Sequence, residues 1–235
     1  MADRGQADVL LPTPDGSSTA FSSRFGECYH NRNGALSQAR HVFLEGSGAR
    51  RLPAPRILEI GFGLGLNFLT SAADALGRGA ALDYLAYEND PQPSRLLAAV
   101  GEQLPGHELA LWHALLAAWP ADQAPAAAAC LCASTGPARV RVEFVDATCA
   151  RLPEDWADAV YLDGFSPAVN PELWSPEFLA RLARALRPGG WLATYSAAGA
   201  VRRALGAAGL AVERCSGMAG KREWLRAQRR PAGSW

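Results

Sequence analysis

The chain has 235 residues, half of them apolar, with equal numbers of basic and acidic side chains and a net charge of zero. That length suits one α/β domain with room for a short appendage and can bury a large core, so wholesale disorder is excluded. Five scattered cysteines (Cys28, Cys130, Cys132, Cys149, Cys215) form no zinc spacing, and no apolar run is long enough to span a bilayer. The odd cysteine count and the absence of a leader-like segment suit a reducing cytoplasm. Charge is uneven along the chain: from Arg181 onward eleven Lys and Arg face only Glu213 and Glu223. Such asymmetry fits a nucleic-acid contact, or simply basic helix surfaces.

Met1–Ser18 is polar, carries Pro12, Pro14 and Gly16, and is expected to start loose. The aromatic stretch Phe21–His30 and the segment Gln38–Leu44 are expected to form a small hairpin or helix over the main sheet. Ile57–Ile60 reads as a short buried strand between Pro55 and Gly61, followed by a glycine turn and a helix over Leu66–Leu76. Leu82–Tyr87 is a second strand, Pro93–Gln103 a helix, and His107–Trp119 another. The Ala-rich stretch after Pro120 reads as a loop with a helical turn. Val140–Val145 alternates as a strand ending at Asp146, and Ala159–Leu162 is a buried strand ending at Asp163. Ser175 before Pro176 and Glu177 is a cap signature for a helix to Leu186, which Arg187-Pro-Gly-Gly190 stops. Trp191–Tyr195, Leu210–Arg214 and Glu223–Ala227 read as strands and Ala198–Ala208 as a helix, with the last two strands paired antiparallel. Strands alternating with helices imply a mostly parallel sheet.

Two segments carry chemistry. Gly61, Gly63 and Gly65 follow the first core strand at spacing two, which permits a tight turn and close backbone approach to a ligand. Leu66 stands where a strict dinucleotide fingerprint has its third glycine. Glu88, at the end of the next strand, is a candidate acceptor for both ribose hydroxyls, and Asp146, at the end of the one after, for an adenine amino group. This order favours a nucleoside cofactor and leaves NAD and S-adenosylmethionine both open. The second segment, Asp163-Gly-Phe-Ser-Pro167 through Asn170 to Trp174, is a Pro- and Gly-fixed loop at a strand end. Phe165 and Trp174 are candidates to stack on a planar substrate or to pack in the core.

The glycine pattern with Glu59 in the strand before it resembles class I S-adenosylmethionine-dependent methyltransferases. The run Leu162 to Trp174 is similar to the hallmark of the MnmC methyltransferase domain and its stand-alone MnmD relatives. Phe21-Ser-Ser-Arg-Phe25, His41-Val-Phe-Leu44, Gly61 to Leu69, Ala198 to Arg203 and Gly217 to Arg222 agree in order, so the resemblance spans Phe21 to Leu225. Departures are Cys28 and His30 around Tyr29, where the family often has an acidic residue, Tyr and Phe; Leu64 for Thr; Ser166 for Ala; and Trp224-Leu225 for Met-Leu.

The resemblance implies a Rossmann-like class I fold with a mostly parallel seven-stranded sheet and helices on both faces. It implies a flexible segment 1–20, an appendage 21–50 over the active site, a methyltransferase domain 51–228 and a tail 229–235. It implies methyl transfer from S-adenosyl-L-methionine to the aminomethyl group of a wobble uridine in tRNA. Asp163 is then the catalytic candidate, with Glu59, Gly61, Gly63, Gly65, Asn67, Glu88, Asp146 and Asp163 on the cofactor. Substrate candidates are Phe25, Tyr29, Phe165, Pro167, Asn170, Trp174, Arg202, Arg203, Lys221 and Arg222. No metal, no membrane contact and no fused flavin domain are expected, so a separate enzyme would supply the amine. Two other readings use the same residues: methylation of a small-metabolite or peptide amine, and a noncatalytic nucleoside- or RNA-binding module.

Overall fold

The computed structural model describes residues 10–120, 129–217 and 223–231. Three short strands, β1 (Leu10–Pro12), β2 (Ser18–Ser22) and β3 (Glu27–Cys28), pair antiparallel in a sheet of their own. A helix follows, α1 (Ala35–Gln38), which widens into a π-helical turn over Ala39–Glu45. Leu10–Pro12 and Ser18–Ser22 are therefore strands where the polar composition suggested a loose segment. The cause is Asp15: its carboxylate accepts from Thr13 Oγ1 (2.7 Å) and Ser17 Oγ (2.6 Å) within the turn and from Ser37 N (2.7 Å) of α1. A polar turn is thus knotted onto a helix start.

The main sheet then alternates with helices. Its strands are β4 (Arg56–Ile60), β5 (Leu82–Tyr87), β6 (Ala129–Thr135), β7 (Ala138–Phe144), β8 (Ala157–Leu162), β9 (Leu186–Thr194), β10 (Leu210–Ser216) and β11 (Glu223–Arg229). The helices are α2 (Leu66–Gly77), α3 (Ser94–Gly101), α4 (Ala110–Ala118), α5 (Pro176–Ala185) and α6 (Gly199–Ala207). Spatial order is β10-β11-β9-β8-β4-β5-β7-β6, with β7, β5, β4, β8 and β9 parallel and β11 and β6 joined antiparallel.

The sheet has eight strands, one more than expected. The additional strand is β6, which the Ala- and Cys-rich sequence hid because small residues carry little strand propensity. It pairs along its whole length with β7 across a two-residue turn in which Gly136 takes a φ of 55°. Residues 121–128 of the expected Ala-rich loop lie outside the described residues. β9 also begins earlier than expected, at Leu186, because Arg187–Gly190 bulges between two paired stretches and does not interrupt the strand.

All six residues of β8 are buried, as a strand covered on both faces requires. Ile57, Phe68, Tyr84 and Tyr161 pack on one face with α2, α3 and α4. Leu58, Ile60, Val160 and Leu162 pack on the other with α5 and α6. Glu59 shares the Tyr84 face because strand side chains alternate.

α5 starts as the sequence predicts: Ser175 Oγ accepts from Phe178 N at 3.2 Å, with Pro176 at the first helical position. Replacing Ser175 with Ala should cost about 1 kcal/mol. Urea denaturation should show a lower midpoint with an unchanged slope.

Candidate active site

The carboxyl ends of β4, β5, β7 and β8 lie side by side, and backbone hydrogen bonds continue the pairing past the strands. Gly61 N donates to Tyr87 O, Asp163 N to Ile60 O, and Glu88 N to Glu143 O, each within 3.0 Å. Gly61 (φ 86°) has no room for a side chain: a Cβ there would sit 3.0 Å from Asp163 O. Only glycine lets the end of β8 come this close.

These ends enclose a cleft with about 580 Å³ of empty volume, part of it open to solvent. Its wall brings together nine of the residues expected from sequence: Phe25, Tyr29, Gly61, Gly63, Glu88, Asp146, Asp163, Phe165 and Asn170. Glu59 and Asn67 stand behind this wall. Gly65 packs beside the Trp112 ring, and Pro167 and Trp174 lie outside the wall. Trp174 is buried, donates Nε1 to Phe165 O (2.9 Å) and meets Tyr195 edge-on, so it supports the reaction loop from below and does not offer its face to a substrate. Arg202 and Arg203 are exposed on α6, away from the wall, and Lys221 and Arg222 lie outside the described residues.

Glu88 is buried at the end of β5 and takes Gly63 N on Oε2 and Asp90 N on Oε1, both at 2.7 Å. The carboxylate therefore ties the glycine turn to β5. Burial raises its pKa, and the backbone N–H groups of Gly63 and Asp90 oppose that rise. Asp146 uses Oδ1 to cap its own turn, accepting from Thr148 N (2.8 Å) and Oγ1 (2.7 Å). Asp163 Oδ2 accepts from Asn67 Nδ2 at 2.7 Å. The wall thus carries three carboxyl groups and no Lys or Arg among the described residues. Such a lining suits a cation and is poorly matched to a pyrophosphate, which narrows the two cofactors left open by the glycine pattern.

Phe25, Tyr29 and His30 form the outer wall. Phe25 stacks on Phe165 (centroids 4.2 Å apart), and Tyr29 tilts against the same ring at 5.2 Å. Ser166 donates its Oγ (2.5 Å) and N (3.1 Å) to the Glu27 carboxylate, and Arg24 pairs with Asp90 at 3.3 Å. Tyr195 OH donates to Gly164 O at 2.8 Å from beneath.

Sequence reading missed His30, Tyr87 and Glu27. Tyr87 is adjacent to Glu88 and was legible from that position. His30 is buried, lines the wall, and has no hydrogen-bond partner for Nε2 among the described residues. Its departure from the family residue at this position was the available signal.

Fold and site together define a nucleoside-cofactor enzyme of the S-adenosylmethionine class. A family model described as S-adenosyl-L-methionine-dependent methyltransferase matches residues 107–230, and the chain belongs to that family, with S-adenosyl-L-methionine as cofactor. More particularly, it matches the methyltransferase portion of the tRNA 5-methylaminomethyl-2-thiouridine biosynthesis bifunctional protein MnmC. Identity is 42% to the Ralstonia nicotianae protein (92% of this chain, 33% of that one) and 43% to the Aromatoleum aromaticum protein (96% and 36%). The chain spans about a third of the length of these relatives. The crystal structure of MNMC2 from Aquifex aeolicus shares the fold, with a TM-score of 0.71 at 24% identity over 99% of this chain and 74% of that one. Among the described residues no helix is long and apolar enough to cross a membrane, and no group of three or more His, Cys, Asp or Glu is placed to hold a metal ion.

Removing the Glu88 carboxylate (Glu88→Ala) should weaken S-adenosyl-L-methionine binding at least about tenfold, or ~1.4 kcal/mol. Isothermal calorimetry on the folded variant checks this.

Burial pushes the His30 imidazole down to about 4. Below pH 6.5 the unfolded chain binds a proton that the folded one refuses, so stability is lost as pH falls from 6.5 towards 4. The loss from this group is on the order of 3 kcal/mol. His30→Phe should flatten the stability–pH curve in that window, as read from urea denaturation across the range.

Proposed function

We propose that this chain methylates the primary amine of 5-aminomethyluridine, with or without the 2-thio group, at the wobble position of tRNA. The observation that carries the reading is Asp163: a half-buried carboxylate, pinned through Asn67, in a cleft whose charged groups are all acidic. The curated relatives, whose name gives the methylated nucleoside as product, support it.

The cofactor, when bound, supplies an electrophilic methyl group on a cationic sulfur. Glu88 would hold its ribose and Asp146 its adenine amino group, with the glycine turn allowing close backbone approach. Asp163 orients the neutral amine through an N–H, then offsets the positive charge that grows on nitrogen as it gains a carbon. The same carboxylate receives the proton that the secondary ammonium sheds. An ordinary carboxylate is a weak base, so orientation and charge are its larger contributions. Phe25, Tyr29 and Phe165 form an aromatic wall suited to the face of a displaced base, with Asn170 beside it to hydrogen-bond its edge.

Because the wall holds no cation, tRNA phosphates must be gripped outside it. Arg202 and Arg203 on α6 are our candidates, with Lys221 and Arg222 from sequence alone. α6 follows Tyr195, which is bonded to the reaction loop. A cytoplasmic setting completes the reading.

Protein incubated with S-adenosyl-L-methionine and tRNA bearing the free aminomethyl group should yield the methylated nucleoside by mass spectrometry. Asp163→Asn should lower kcat by about 10²- to 10⁴-fold while cofactor affinity changes by no more than about threefold. Folded, cofactor-binding protein that methylates no such tRNA would sink the assignment. Transfer to a small or peptidyl amine in its place would move the acceptor, not the chemistry.

A further inference from the structure

Asn67 sits in the first turn of α2, two residues after the glycine turn, and is buried. It is not part of the cleft wall. Its Nδ2 donates to Asp163 Oδ2 at 2.7 Å and to Glu59 Oε1 at 2.9 Å. An amide nitrogen has two hydrogens, and each is committed to one carboxyl group. Turning the amide over would set its oxygen against two carboxyl oxygens, so the donor orientation is the stable one. Glu59 is fully buried in the middle of β4, and its second oxygen takes Tyr84 OH at 2.8 Å. The result is a chain of four groups, Tyr84–Glu59–Asn67–Asp163, running from the core to the cleft.

We infer that Asn67 is a positioning residue for Asp163 and not a cofactor ligand: it bridges the cleft carboxylate to a core carboxyl group and thereby fixes both the direction and the charge of Asp163. The inference deepens the proposed reaction and rests on Asp163 acting there. Its physical content is a division of charge. Two carboxylates sharing one donor in a buried setting repel, so one of them is driven neutral. Burial, with Asp163 nearby, pushes the Glu59 carboxyl well above the usual range, against the bonds from Asn67 and Tyr84. Of the two carboxyl groups, Glu59 is therefore the one whose charged form its surroundings disfavour. Asp163, half-exposed at the cleft, is the better solvated of the two, and its bond to the amide is the shorter, at 2.7 Å against 2.9 Å.

The test titrates Asp163 directly. Full-length protein carrying ¹³C-carboxyl aspartate is followed by NMR against pH, with Asp163→Asn identifying the resonance. Asn67→Ala should raise the Asp163 midpoint by about one unit, because a donor to its charged form is gone. The acid limb of the kcat–pH profile should move up with it, and kcat should fall about 10- to 100-fold as the carboxylate loses its direction. S-adenosyl-L-methionine affinity should change by no more than about threefold, which separates positioning from binding.

Asn67→Ser, which keeps one donor, should show a smaller shift in the same sense and serves if the Ala variant does not fold. Glu59→Gln should not raise the Asp163 midpoint, since replacing the carboxyl group with a neutral amide can only reduce repulsion between the two. An unmoved midpoint in both Asn67 variants overturns the inference whatever happens to turnover. A tenfold or larger loss of cofactor affinity overturns it too, by making Asn67 a ligand. The carbon titration needs no acceptor, so it still reads the bridge if the tRNA assignment fails.

Discussion

The close approach of the ends of β4 and β8 is the constraint on which the rest depends. Gly61 disfavours a side chain because its backbone takes a φ of 86° and a Cβ would press against Asp163 O at 3.0 Å. That contact brings the catalytic candidate onto the glycine turn. Parallel pairing of β4 with β5, and of β5 with β7, then sets Glu88 and Asp146 on the same rim. Ligands of open α/β sheets bind beyond the carboxyl ends of the strands because backbone groups there are released from the ladder. Here the rim is assembled by backbone hydrogen bonds that continue past the strands, so its carboxyl groups are held by the sheet itself.

The chemistry follows from how the carboxyl groups differ. Glu88 is fixed by two backbone N–H groups, Asp146 is half-engaged in its own turn, and Asp163 accepts from the Asn67 amide. Glu59 sits behind them with its hydrogen bonds made inside the core. Four acidic side chains within one end of the sheet thereby have four environments. Environment, not residue type, would separate the proposed ribose ligand Glu88 from the proposed proton acceptor Asp163.

The outer wall comes from a distant part of the chain. β2 and β3 carry Phe25, Glu27 and Tyr29 to the reaction loop, and Asp15 anchors the preceding turn to α1. The Glu27–Ser166 bonds and the Phe25–Phe165 stack join residues about 140 positions apart. Ser166 in place of alanine gives this chain a hydroxyl that the bond to Glu27 uses.

The sequence by itself determined the strand–turn–helix around Gly61, the cap at Ser175, the antiparallel final pair, and the carboxyl groups at three strand ends. These are local: spacing, glycine and alternation report directly on backbone geometry and on which face is buried. Motif resemblance added the acceptor, which no local rule contains. β6 was hidden because its residues are small and its strand character comes only from pairing with β7. Trp174 and Asn67 were placed in the site by sequence proximity to it. Only the tertiary structure put one under the loop and the other behind the wall, because the direction of a side chain depends on what the fold packs against it. The basic excess after Arg181 likewise fixed a composition, while the fold decided that Arg202 and Arg203 stand on α6 outside a cleft whose charged groups are all acidic.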